Sequence, residues 1–254
     1  MECENFLGLF KRLLQEWGNK GESLEIPVQR WLAKDKKHKK LTNEASKTPL
    51  SAIPKSCCPQ LERETLIFDF DTVMKNFCTK INMLTLSSVD GLYLDEQRNI
   101  IYLLEIKSVA SHLERSQKST MDSEEKFESI KKFLLEGEDD LSDDELKNEK
   151  KKKRSTLADK AGNSYTSFFA MFGYSPERES SYNLPLVRCF LEKKQFKIKY
   201  FIVVDMESED FLKYEFAILK LLKQKITHGF LSSIELVSAD HIHEILENTF
   251  DEII

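Results

Sequence analysis

The sequence is poor in the residues that loosen a chain. Eight glycines and six prolines in 254 residues exclude a collagen-like, elastic or loop-dominated protein. No apolar run approaches the roughly 20 residues that a membrane-spanning helix needs, so no membrane partner is expected. The first residues lack the apolar stretch of a signal peptide, because Glu2, Glu4, Lys11 and Arg12 interrupt it. The five cysteines include no CxxC pair, which excludes a four-ligand zinc knuckle. A soluble, cytoplasmic protein with reduced thiols is therefore expected. Basic excess is also missing: 38 Lys and Arg stand against 43 Asp and Glu, for a net charge of −5. That removes a global nucleic-acid signature, though not a local basic groove. Without GxGxxG, P-loop, GxSxG or HExxH motifs, neither ATP hydrolysis nor serine hydrolysis has support.

What remains is a chain with 41% hydrophobic and 32% charged residues, enough for one core under a highly charged surface. Residues 4–18 set Phe6, Leu9, Phe10, Leu13 and Trp17 on one helical face, a core or docking stripe. Residues 34–56 open with KDKKHKK and read as a solvated basic loop. The stretch 61–84 has the spacing of a helix through Val73, Phe77, Ile81 and Leu84, with Asp69 or Asp71 as its cap. Strand patterning follows over 85–107, with a turn at 95–99. From 109 to 160 the chain is strongly polar. Seven acids in 136–145 precede six bases in 147–154, which suggests a flexible or loosely helical insertion whose halves can pair. An aromatic helix over 163–173, an apolar strand over 196–205, a helix over 208–228, a strand over 234–238 and a helix over 240–250 complete the order. The expected fold class is α/β, with helices on a central mixed sheet. Residues 1–60 form an N-terminal helix and basic loop, and 61–254 form the α/β domain, with the charged insertion at about 110–158.

The most informative stretch is 89–108, VDGLYLDEQRNIIYLLEIKS. The second strand of this hairpin is apolar until it ends in Glu105 and Lys107. By the two-residue period these share a face with Ile101 and Leu103. Antiparallel pairing through the 95–99 turn brings Asp90 beside the stretch from Leu104 to Lys107. Two carboxylates and an ammonium thus converge. Asp90, Glu105 and the backbone carbonyl of Ile106 are hard oxygen donors suited to Mg²⁺, with Mn²⁺ as a substitute. Lys107 is placed to orient a water or to stabilise charge on a phosphate.

Asp90 within Val89-Asp90-Gly91, followed by Glu105-Ile106-Lys107, resembles the motif of the PD-(D/E)xK nuclease superfamily, which has the restriction-endonuclease-like fold. The flanks match as well: a helix before the hairpin, a helix after it, then the apolar strand 197–204. The likeness covers roughly residues 60–205. No proline precedes Asp90, and the long polar insertion leaves the second core helix open between 123–136 and 159–172. The resemblance implies a Mg²⁺-dependent endonuclease cutting DNA, or RNA, in restriction, repair or anti-phage defence. It also implies a helicase or ATPase as partner and a homodimer for cutting both strands. An additional acid on the preceding helix would help hold metal, with Glu64, Asp69 and Asp71 as candidates. The alternative is a non-catalytic interaction subunit that keeps a degenerate nuclease-like fold and binds a protein. Among other groups, Asp205 closes the apolar strand. Lys160 and Tyr165 flank the aromatic helix, where packing and solvation are expected ahead of contact with a nucleic-acid backbone.

Overall fold

Ile100 to Leu104 is an unbroken apolar run, which suits a strand with neighbours on both edges and cover on both faces. The computed structural model places it so, as β4 (Ile100–Lys107), inside a six-stranded sheet. Residues 6–17, 25–28, 32, 66–115, 121–136, 155–173, 183–192, 196–206 and 208–247 are described. The basic loop 34–56, the charged blocks between 137 and 154, and Glu64 lie outside them.

β3 (Gly91–Asp95) pairs antiparallel with β4, from Gly91 opposite Leu104 to Asp95 opposite Ile100. The turn between them is closed by the Asp95 carboxylate, which accepts the Gln97 and Arg98 amides at 3.1 and 2.9 Å. Asn99 takes the left-handed φ of 55° that asparagine tolerates better than most residues. β2 (Leu66–Asp69) pairs antiparallel with β3, and β1 (Glu25–Pro27) with β2. On the other side β5 (Lys197–Val204) and β6 (Ser233–Ser238) run parallel to β4. The chain is thus α/β with an open mixed sheet, antiparallel on one side and parallel on the other.

Parallel neighbours need crossovers. Between β4 and β5 the described chain forms α3 (Val109–Arg115), α4 (Ser123–Glu136), α5 (Leu157–Gly173) and α6 (Asn183–Glu192), and between β5 and β6 it forms α7 (Ser208–Lys225). α1 (Phe6–Glu16) precedes β1, α2 (Phe70–Lys80) follows β2, and α8 (Ile242–Glu247) follows β6. The described residues of the polar stretch after β4 include two helices. α3 and α4 are regular helices, and α4 buries Ile130, Phe133 and Leu134. The helix expected over 61–84 is shorter. Leu66, Ile67 and Phe68 are a strand, because β1 and β3 flank it, and Asp69 caps the helix that follows. The cysteines also depart from expectation: Cys78 is a free buried thiol, but Cys189 is disulfide-bonded. Spacing alone does not reveal which cysteines meet.

The sheet separates two cores. Ile101 and Leu103 of β4 face the larger one, with α1, α2, α4, α5 and α6. Phe6, Phe10 and Leu13 of α1 and Trp17 just after it are buried there, each burial stabilising by about 1.5–3 kcal/mol. Phe10 meets the rings of Phe168 and Phe172 edge-on, with centroids 5.0 and 5.1 Å apart. Tyr102, Leu104 and Ile106 face a smaller core covered by α8 through Ile242 and Leu246.

Candidate functional site

Strand period decides where Glu105 goes. It continues the face of Ile101 and Leu103, and so enters the larger core, where its side chain is 0% exposed. A lone buried carboxylate would be prohibitive without counter-charge. Two ammonium groups supply it, both on the same oxygen: Lys160 Nζ at 2.6 Å and Lys107 Nζ at 3.1 Å from Glu105 Oε1. The second oxygen, Oε2, is buried and accepts no hydrogen bond from the described residues.

Asp90 reaches the same place from the other side of the hairpin. β3 begins one residue later, at Gly91, so the edge of β4 beyond Leu104 has no strand partner on that side. The Asp90 carboxylate takes that place: its Oδ2 accepts the Ile106 amide at 2.8 Å. A residue in a strand presents its N–H and C=O to the same edge, so the Ile106 carbonyl belongs to the Asp90 side as well. The Asp90 backbone is fixed by its carbonyl, which accepts the Phe70 amide at 3.1 Å. Lys160 Nζ lies 3.5 Å from Asp90 Oδ1, so one nitrogen sits between the two carboxylates. Burial, and next the Glu105 carboxylate, push the Asp90 carboxyl up to about 7, against the pull of Lys160, the Ile106 amide and Lys107. Its side chain keeps 34% of its surface open, so one side of the site reaches solvent.

Lys160 is carried by the first turn of α5. A reciprocal cap starts that helix: the Thr156 hydroxyl accepts the Asp159 amide at 3.1 Å, and the Asp159 carboxylate accepts the Thr156 amide at 2.9 Å. One turn on, the Ser164 hydroxyl donates to the Lys160 carbonyl at 2.8 Å and accepts the Val89 amide at 3.0 Å. This bridge ties the residue before Asp90 to the backbone of Lys160. Desolvation works against the Lys160 charge, but Glu105 and Asp90 outweigh it and hold the ammonium well above its ordinary value. Tyr200 of β5 is fully buried beside them and donates to the Leu157 carbonyl at 3.3 Å. Burial first, then the two carboxylates, raise its phenol well above the usual range.

The structure thus brings Asp90, Glu105 and Lys107 together and adds Lys160, for which packing and solvation were expected ahead of contact with a nucleic-acid backbone. The other described candidate acids are engaged elsewhere. Asp69 accepts the Thr72 amide and hydroxyl at 3.3 and 2.7 Å as the cap of α2. Asp71 pairs with Lys75 at 2.5 Å. Asp205 caps α3, accepting the Ser108 hydroxyl at 2.7 Å and the Ala110 amide at 3.1 Å. Tyr165 stacks on Phe230 at 4.0 Å, which is packing. Among the described residues, no group of three or more His, Cys, Asp or Glu side chains gathers as a metal cage.

The donor set that does gather fits a hard divalent cation of the kind that keeps most of its waters: the Glu105 carboxylate with its unbonded Oε2, the Asp90 carboxylate, and the Ile106 carbonyl. No described helix is long and apolar enough to cross a membrane. The chain matches no family model, no curated protein and no solved structure.

Proposed function

We propose that the protein is a Mg²⁺-dependent nuclease built on a restriction-endonuclease-like core, hydrolysing phosphodiester bonds in DNA. The observation that carries this reading is Glu105: a fully buried carboxylate at a strand end, one oxygen unbonded, with Asp90 beside it and Lys107 two residues on. A carboxylate stranded in a core is destabilising, and such arrangements persist chiefly where chemistry uses them. The order of elements supports the reading too: α2, the β3–β4 hairpin, α5, then the apolar β5 parallel to β4.

When bound, the metal supplies a water of lowered pKa and neutralises charge on the phosphate. Asp90 and Glu105 would hold it, with the Ile106 carbonyl on the Asp90 side of β4 as a further oxygen donor. The Ile106 amide keeps the Asp90 carboxylate turned into the site. Lys107, with its side chain 21% exposed, stands at the margin between core and solvent, where it can donate to a phosphate oxygen. Cutting a duplex would call for two copies, and a helicase or ATPase would supply targeting in a defence or repair setting.

A specific observation favours the alternative, a non-catalytic interaction subunit. Lys160 already bridges the two carboxylates, as in an ion network that needs no metal. The two readings separate in one assay. Purified protein is incubated with plasmid DNA and Mg²⁺ or Mn²⁺, beside Glu105→Ala and Lys107→Ala. Metal-dependent nicking that falls by about 100-fold in both variants is expected. Nicking that survives Glu105→Ala, or none by the parent protein with either metal, refutes the nuclease.

A further inference from the structure

Lys160 sits where local physics disfavours it. It lies in the first turn of α5, at the positive end of the helix dipole, where a cation is destabilising. Its side chain is only 19% exposed, so the ammonium has also left most of its water. What offsets both penalties is its place between Glu105 Oε1 at 2.6 Å and Asp90 Oδ1 at 3.5 Å. That position is the one a shared metal ion would take. With both carboxylates ionised, Asp90, Glu105, Lys107 and Lys160 cancel, so a divalent cation entering the intact cluster would create an excess of positive charge in a poorly solvated place.

We propose that Lys160 is an internal counter-cation that closes the Asp90–Glu105 pair, and that a divalent metal loads only by displacing it. This rests on the reading of Asp90 and Glu105 as metal ligands. The geometry suits displacement. The ammonium is at the end of a four-carbon stem that can rotate away, whereas the Lys160 backbone is held by the cap at Thr156 and Asp159 and by Ser164. Lys107 is held to the same Glu105 oxygen and stays behind, so the metal would take the place the Lys160 ammonium leaves beside Oε1, with the buried Oε2 as a second Glu105 donor. The displaced ammonium remains tethered at the rim, where an anionic substrate would receive it. Metal and phosphodiester should therefore bind each other's complexes more tightly than they bind the free protein.

The test is Mn²⁺ binding to chelator-treated full-length protein, followed by calorimetry and by the paramagnetic signal of free Mn²⁺. Lys160→Met keeps the stem and removes the charge. Lys160→Arg keeps the charge, and Lys160→Gln serves if the methionine variant does not fold. Circular dichroism checks each fold. Lys160→Met, or Lys160→Gln, should bind Mn²⁺ about tenfold tighter than the parent or more, because one contacting charge is gone, while Lys160→Arg stays near the parent. Adding Glu105→Gln should abolish the gain. Tighter binding by Lys160→Met where the parent shows none would support the proposal in its strongest form. If the parent binds Mn²⁺ through Glu105 and the methionine and glutamine variants bind no tighter, the counter-cation role is refuted and the metal site stands. If neither the parent nor any Lys160 variant binds Mn²⁺, both fall.

Discussion

Replacing Asp90 with asparagine isolates what this carboxylate does to the fold. Asp90→Asn keeps the shape and an oxygen to accept the Ile106 amide, but removes the titrating charge. In the folded protein the carboxyl titrates at about 7, against an ordinary 3.8, because burial and Glu105 disfavour its charged form. A raised acid binds its proton more tightly in the folded state. Its contribution to stability is therefore intact below pH 3.8 and lost as pH rises through about 7. At 1.36 kcal/mol for each tenfold change, the full shift corresponds to about 4 kcal/mol. Asp90 has 34% of its side-chain surface open, and solvent screening there reduces the expected effect to about 1–2 kcal/mol. The assay is urea unfolding in the presence of a chelator at pH 5 and pH 8, for the parent and Asp90→Asn. The parent should lose about 1–2 kcal/mol more than the variant between the two pH values. Equal losses in both proteins would refute the account of Asp90 as a carboxylate held against its preference.

Two further outcomes probe the frame that positions the site. Asp205→Ala removes the acceptor of the Ser108 hydroxyl and the nearer of two acceptors of the Ala110 amide, which keeps the Asp205 carbonyl at 3.3 Å, so it should destabilise by about 1–2 kcal/mol and speed amide exchange across α3. Unchanged exchange in 109–115 would show that the cap is idle. Phe10→Ala empties the place between Phe168 and Phe172 and should cost about 3–5 kcal/mol in chemical denaturation. A loss under about 1 kcal/mol would mean that α1 is not integral to the core.

The sequence by itself determined the hairpin and the pole of the site it carries. Strand period put Glu105 and Lys107 on the face of Ile101 and Leu103, and a short turn made Asp90 meet the end of β4. These are local relations, set by backbone geometry over a few residues. The apolar stripe of α1 and the strand β5 were legible for the same reason. Only the tertiary structure decided the rest. Leu66 to Asp69 became a strand because β1 and β3 lie alongside: Ile67 and Phe68 suit a strand, but four residues running into a helical pattern leave the choice to the neighbours. Lys160 is 55 residues beyond Glu105, and nothing in its neighbourhood marks it. It enters the site because β5 must return parallel to β4, so the crossover lays the start of α5 over the strand end that carries Glu105. A buried carboxylate then selects the nearest ammonium, which is a consequence of desolvation in the folded core and has no counterpart in the unfolded chain.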